Sequence, residues 1–486
     1  MRTEQVYQEY RPRRYYRLNH FKGGNIMKLR KLLALVMATA LLVTAVTGCG
    51  GSDDKDKDGD NSGKTEATGW EAMFGEEYVK ARADYEAEHN PYDIPEELKG
   101  TTVKIATWID HTTTEAAWIM KNFEKDTGIK VEWVQIPQAT YFQQLSQMVA
   151  AGEAPDIYVE NNEYFPMTLQ ISKPLDEVSS IDLNDPIWDK GYAEFTTFGD
   201  HYYQLNAKNS VWQTTNLVYY NKKAMEDNGL LTPQDYIDAG EWTWDNMLNI
   251  MREYDALGDT YSGGQLPPET LAATLGSSIM YMKEGKFVNG LNDAGLATGY
   301  KTYLQTLDEG IYNANAGTNM IKGTVGLYIV DSYGLKQTGY FKGIDEDVLG
   351  FAPIPEKEGE ENFTSSHYRA YGILSGSKNP EAAGYFLRYF LDPYNYDWDN
   401  TFISEDARDY YLEYIAGQDF SEKVFSFDLC GASLLGYAAG DEMRIWRYAL
   451  MRTSADQLTT VMQSISGEVD SAVQKANAIL DEISAK

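Results

Sequence analysis

Cysteine is nearly absent: Cys49 and Cys430 are the only two in 486 residues. So sparse a supply excludes a disulfide-stapled scaffold, and the chain is long enough to build hydrophobic cores without one. Histidine is equally scarce, with five scattered residues. The chain has no His-Glu-x-x-His, no Gly-x-Ser-x-Gly elbow and no Gly-x-x-x-x-Gly-Lys loop, which removes the usual signatures of metalloproteases, serine hydrolases and phosphate-binding loops. Asp54-x-Asp56-x-Asp58-Gly59 starts like a calcium loop, but the twelfth position is Thr65 instead of a bidentate Glu. No cofactor and no metal are expected. Positive charge is also short, 42 Lys and Arg against 73 Asp and Glu, a net charge of −31. That balance repels nucleic acid and anionic lipid.

A membrane-spanning run is lacking too. Leu32 to Val46 is uncharged, yet about 15 residues fall short of the roughly 20 that cross a bilayer. The stretch follows Lys28-Leu29-Arg30-Lys31 and closes on Val46-Thr47-Gly48-Cys49, the basic, apolar and small-residue plan of a secretory signal. The closing tetrapeptide resembles a bacterial lipobox, which implies that Cys49 is lipidated and becomes the mature N-terminus. On this reading residues 1–26 are a leader ahead of a start at Met27, and 27–48 are the signal peptide. Nine basic and two acidic residues precede Cys49, so the mature chain keeps 33 against 71, a net charge of −38. Cys430 is left without an intramolecular partner, and in Asp428-Leu429-Cys430-Gly431 it reads as a buried apolar thiol.

Residues 49–69 are nearly all Gly, Ser, Asp, Lys, Asn and Thr and cannot bury enough apolar surface to order themselves. They read as a tether reaching about 25 Å. Residues 70–100 form a helical lead-in, with a helix over 70–88. Strand-like runs then alternate with helical ones. Val103–Ala106, Ile129–Val134 and Ile157–Val159 are expected strands. Between them a helix starts at a capping box, Thr112-x-x-Glu115, and stops at Gly128, and a second runs from Tyr141 to Ala150. Strands at Leu217–Tyr220, Val325–Val330 and Ile373–Leu374 follow, with helices entered at Thr243 and Ala382. Val469, Ala472, Val473, Ala476, Ile479, Leu480 and Ile483 make the stripe of a final amphipathic helix. Strands spaced by helices imply α/β lobes with helix-covered sheets.

Several segments carry a family resemblance: Phe123-Glu124-Lys125-Asp126-Thr127-Gly128, Gly152-Glu153-Ala154-Pro155-Asp156-Ile157, Val218-Tyr219-Tyr220-Asn221-Lys222, Trp242-Thr243-Trp244-Asp245, Gly350-Phe351-Ala352-Pro353 and Asn379-Pro380-Glu381-Ala382. In this order and spacing, over about 101–486, the chain resembles the extracellular solute-binding proteins of bacterial ABC importers, in the sugar-binding group that includes the maltose-binding proteins. The resemblance implies a two-lobed periplasmic-binding-protein-like fold of type II, with the ligand in a cleft that closes by hinge motion. It assigns 101–207 and 331–369 to lobe 1, and 216–330 and 371–486 to lobe 2, with hinges near 208–215, 330–331 and 370–371. It also implies a monomer held at the extracellular face of the cytoplasmic membrane by lipid on Cys49. Such a receptor would capture a mono- or oligosaccharide and deliver it to permease subunits, in an arrangement that suits a Gram-positive source.

Sugars ask for carboxylates or amides toward their hydroxyls and flat aromatics toward their pyranose faces. Ligands in open α/β sheets bind beyond the carboxyl ends of strands, which points to Trp108 and Asp110 after the first strand and to Glu160 and Asn161 at the third. The resemblance supports these and adds Trp212, Tyr261, Asp331, Tyr333 and Tyr371. Trp242 and Trp244 read as packing residues, and Arg369 suits either an acidic ligand or a neighbouring carboxylate, the structural role being favoured. Two other classes stay open: a secreted glycoside hydrolase working with two carboxylates, and a receptor for a cationic solute such as a polyamine.

Overall fold

A computed structural model describes residues 69–437 and 446–485. Cys49 and its expected lipid, the leader, the signal and the tether up to residue 68 lie outside the described residues. The strands that organise the molecule are β1 Thr102–Thr107, β2 Lys130–Gln135, β3 Ile157–Asn161, β4 Ser172–Lys173, β5 Asn216–Asn221, β6 Ser262–Gln265, β7 Val325–Asp331, β8 Leu349–Pro353 and β9 Arg369–Leu374. They form two sheets. The first has the order β2-β1-β3-β9-β4 and the second the order β8-β5-β7-β6. In the first, β1 runs parallel to both β2 and β3, and β9 returns antiparallel to β3.

Local sequence accounts for the elements. Every residue of β3 and of β5 is buried, as expected of strands covered on both faces. The helix Ala116–Thr127 stops because Gly128 takes φ 74°, the left-handed conformation that glycine adopts without a Cβ penalty. The expected capping box does not form. Asp110 instead caps a short 3₁₀ turn, His111–Thr113, and Glu115 is committed to Lys336. The final helix is Leu458–Ser484, and Val469, Ala472, Ala476, Leu480 and Ile483 are its buried face. Cys430 is buried. Trp242 and Trp244 lie in the core beneath the second sheet.

Pairing across the sheets corrects the expected division of the lobes. Strand β9 and the helix Pro380–Leu391, assigned to lobe 2, belong with the first sheet: β9 pairs with β3, and the helix packs on β1 and on Ala116–Thr127. Strand β8, assigned to lobe 1, pairs with β5 in the second sheet. Two of the expected hinges therefore fall inside sheets. Asp331 is opposite Asn216 at the end of β7, and Tyr371 is opposite Val159 within β9. The crossing itself lies between the sheets. Thr215 bridges Ser366, the His367 N–H donates to the Thr214 carbonyl at 3.1 Å, and Thr364–Ser365 pairs with Lys423–Val424.

The lead-in is two helices, Trp70–Phe74 and Glu76–His89, interrupted at Gly75. Arg82 on the second donates to Asp392, just past Pro380–Leu391, with an Nη2–Oδ2 distance of 2.7 Å, and Tyr92 donates to the same carboxylate at 2.6 Å. Arg388 donates to Asp392 at 3.0 Å and to Asp185 at 2.8 Å. Both arginines and both aspartates are buried. The lead-in is thus docked on the first lobe.

Candidate functional site

The ends of β1 and β7 and the start of β9 bring a mixed aromatic and charged group together where the two sheets face each other. Trp108 leaves β1 half-buried, its ring meeting Tyr141 edge-on at 5.1 Å. Arg369 opens β9, opposite Asn161, and its guanidinium carbon lies 5.3 Å from the centre of the Trp108 ring, a cation–π contact. Asp331 closes β7. Its carboxylate accepts the Tyr333 N–H at 3.0 Å and the hydroxyl of Tyr340 at 2.8 Å. Burial pushes the Asp331 carboxyl up to about 6, while Tyr340, Tyr333 and the charges of Arg369 and Lys336 pull the other way.

Lys336, one turn beyond Asp331, reaches back to the first lobe. Its Nζ donates to Glu115 Oε1 at 2.7 Å and lies 4.6 Å from the centre of the Trp212 ring. Next to them His111 stacks on Trp133 at 4.4 Å and meets Trp212 edge-on at 5.5 Å. Burial, reinforced by the charge of Arg369, holds its imidazole down to about 4, so it is neutral near pH 7. The arrangement offers an aromatic surface, a carboxylate, a phenol and a guanidinium, a set suited to binding. Among the described residues no group of three or more His, Cys, Asp or Glu could hold a metal ion.

The structure gathers some of the expected contact residues and separates others. Trp108, Asp331, Tyr333 and Asn161 lie at the facing strand ends, where Tyr333 donates to the Thr338 carbonyl at 2.7 Å. Asp110 is exposed and holds the N–H and hydroxyl of Thr112. Glu160 is fully buried, taking Gln204 Nε2 at 2.8 Å and the Thr168 hydroxyl, and burial raises its carboxyl to about 7. Tyr371 is buried against Phe390. Trp212 stacks on Phe390 at 5.4 Å, carries Lys336 over its ring and donates Nε1 to Tyr396 at 2.8 Å, so its surface is already committed. Tyr261 precedes β6, whose start pairs with the start of β7, so it lies about 20 Å from Asp331 at the far end of the second sheet. Arg369, expected to pair a carboxylate, has none within 4.0 Å among the described residues.

Three contributors went unread in the sequence. Lys336 and Tyr340 carry no local signal, and Glu115 was read as a cap. A separate cavity of about 750 Å³ lies between the segments 275–285, 292–295 and 420–427, with Phe195 and Phe363 in its wall. None of the expected contact residues lines it.

The profile of the family described as bacterial extracellular solute-binding protein matches residues 106–396, more than half of the chain. No functionally curated protein matches the chain by sequence. Among solved structures, the GacH receptor of Streptomyces glaucescens, studied unliganded and with acarbose, superposes with a TM-score of 0.53 at 15% identity, covering 79% of this chain and 98% of its own. An ABC substrate-binding protein of Listeria monocytogenes in complex with cycloalternan gives 0.52 at 15%, over 78% and 98%. A cyclic alpha-maltosyl-1,6-maltose binding protein of Arthrobacter globiformis gives 0.53 at 14%, over 79% and 99%.

Proposed function

Because the chain belongs to the bacterial extracellular solute-binding protein family, we propose that it is a lipid-anchored receptor that takes up a carbohydrate between its lobes and passes it to the permease of an ABC importer. The observation that carries the carbohydrate reading is the meeting of Trp108 with Asp331 and Arg369 at the facing strand ends. An aromatic face beside hydrogen-bonding groups matches a pyranose ring, which has one apolar face and a rim of hydroxyls. The sugars and cyclic sugars named with the similar structures support the same class.

Among the described residues no helix is long and apolar enough to cross a membrane. A thermal-shift and calorimetric screen over neutral sugars, uronates and polyamines tests the ligand class. A sugar should raise the unfolding temperature saturably and be recovered unchanged. Release of sugar products would favour the hydrolase, and a response to polyamines alone would favour the cation receptor. Mass spectrometry of the membrane fraction should find an acylated N-terminal Cys49, and Cys49→Ala should move the protein into the medium.

A further inference from the structure

Seven arginines lie among the described residues, and their partners divide sharply. Arg82, Arg252, Arg388, Arg408 and Arg447 each have at least one carboxylate within 4.0 Å, and Arg388 has three. Arg452 is exposed. Arg369 alone is set into the protein with no carboxylate at that distance, in a chain with 31 more acidic than basic residues. Its Nε is buried and has no hydrogen-bond acceptor among the described residues. Leaving a buried charged donor unsatisfied is costly, so the position calls for an acceptor from elsewhere.

The neighbours of Arg369 define that acceptor. Its side-chain contacts are neutral: the Trp108 ring lies beneath the guanidinium and the Tyr371 hydroxyl accepts a hydrogen bond from it. Asp331, whose carboxylate feels the charge of Arg369, spends its oxygens on Tyr333 and Tyr340, and the other basic group, Lys336, is already held by Glu115. His111 is neutral. The Nε–H edge of the guanidinium is therefore left over beside an aromatic face. A guanidinium recognises a carboxylate through two parallel N–H···O bonds, a geometry that a hydroxyl cannot match.

Building on the carbohydrate reading, we propose that this cleft selects a sugar bearing a carboxylate, a uronate, with the carboxylate on Arg369 and the ring at Trp108. The reaction class that supplies such a solute is the depolymerisation of an acidic polysaccharide outside the cell.

Calorimetry with matched acid and neutral probes tests this: galacturonate with galactose, glucuronate with glucose, and the corresponding α-1,4-linked dimers. At least one acid should bind tenfold or more tighter than its neutral counterpart. Arg369→Gln should bring that ratio close to one, and Arg369→Lys, which keeps the charge but not the fork, should leave an intermediate ratio. Circular dichroism and unfolding temperature check that both variants fold, and the ratio compares two ligands on the same protein, so a partly unfolded fraction cancels. Neutral sugars binding as tightly as acids would overturn the uronate assignment and leave the carbohydrate reading standing. No binding of any sugar, acid or neutral, would overturn both.

Discussion

Lys336 Nζ donates to Glu115 Oε1 at 2.7 Å, with Lys336 buried and Glu115 largely so, and the two residues flank elements of different sheets. Glu115 precedes a helix packed on the first sheet, and Lys336 follows strand β7 of the second. Removing one partner strands the other charge in a desolvated place, a loss of about 3–5 kcal/mol. Glu115→Gln should therefore lower the unfolding temperature and also let the lobes part, seen as a larger radius of gyration in solution scattering. The double variant Glu115→Gln/Lys336→Met should be more stable than either single one. A double variant that loses the sum of the two single losses would show that the pair carries no coupling.

Trp108 and Trp212 should separate binding from stability. Trp212 is 8% exposed and packs on Phe390, so Trp212→Ala should cost about 3–5 kcal/mol in denaturant unfolding. Trp108→Ala should cost less stability and lower sugar affinity by roughly tenfold or more. Calorimetry showing undiminished affinity in Trp108→Ala would move the aromatic contact elsewhere.

Glu160 makes stability depend on pH. Its carboxyl is raised from the ordinary 4.5 to about 7 by burial, so the folded state holds this proton over a range where the unfolded chain has released it. Between those values the folded state binds more protons, and stability falls as pH rises, by at most about 3 kcal/mol at pH 8. Glu160→Gln, which mimics the protonated acid, should flatten that part of the profile. Melting temperatures at pH 5, 6, 7 and 8 for both proteins would show it. Parallel profiles would mean that Glu160 is ionised across the range.

Asp392 compensates two buried arginines, Arg82 and Arg388, and accepts the Tyr92 hydroxyl. Asp392→Ala should destabilise the chain by about 3–5 kcal/mol. It should also loosen the docked lead-in, so limited proteolysis should cut first within 70–92. Cleavage at the same rate as in the native chain would show that the aromatic contacts of Trp70 and Phe74 suffice.

Elements were legible in the sequence because their causes are local. The glycine after Thr127 ends a helix by its own backbone conformation, and the stripe from Val469 to Ile483 is set by spacing alone. Sheet membership was not legible. The run Arg369–Leu374 is apolar enough for either sheet, and only its pairing with Ile157–Asn161 decides. The site divided in the same way. Trp108 follows from the rule that ligands lie beyond strand ends, whereas Asp331 came from the family resemblance. Trp212 carries the right side chain in a place where Phe390 and Lys336 already occupy it, and Glu115 has the composition of a cap but the geometry of a bridge.

The docking of the lead-in on Asp392 has a mechanical consequence. A chain held from its N-terminal side is held by the first lobe alone, through the helix Glu76–His89. If the chain is anchored at Cys49 as proposed, the lobe built on Asn216–Asn221 and Val325–Asp331 would be the swinging jaw and the anchored lobe the fixed one.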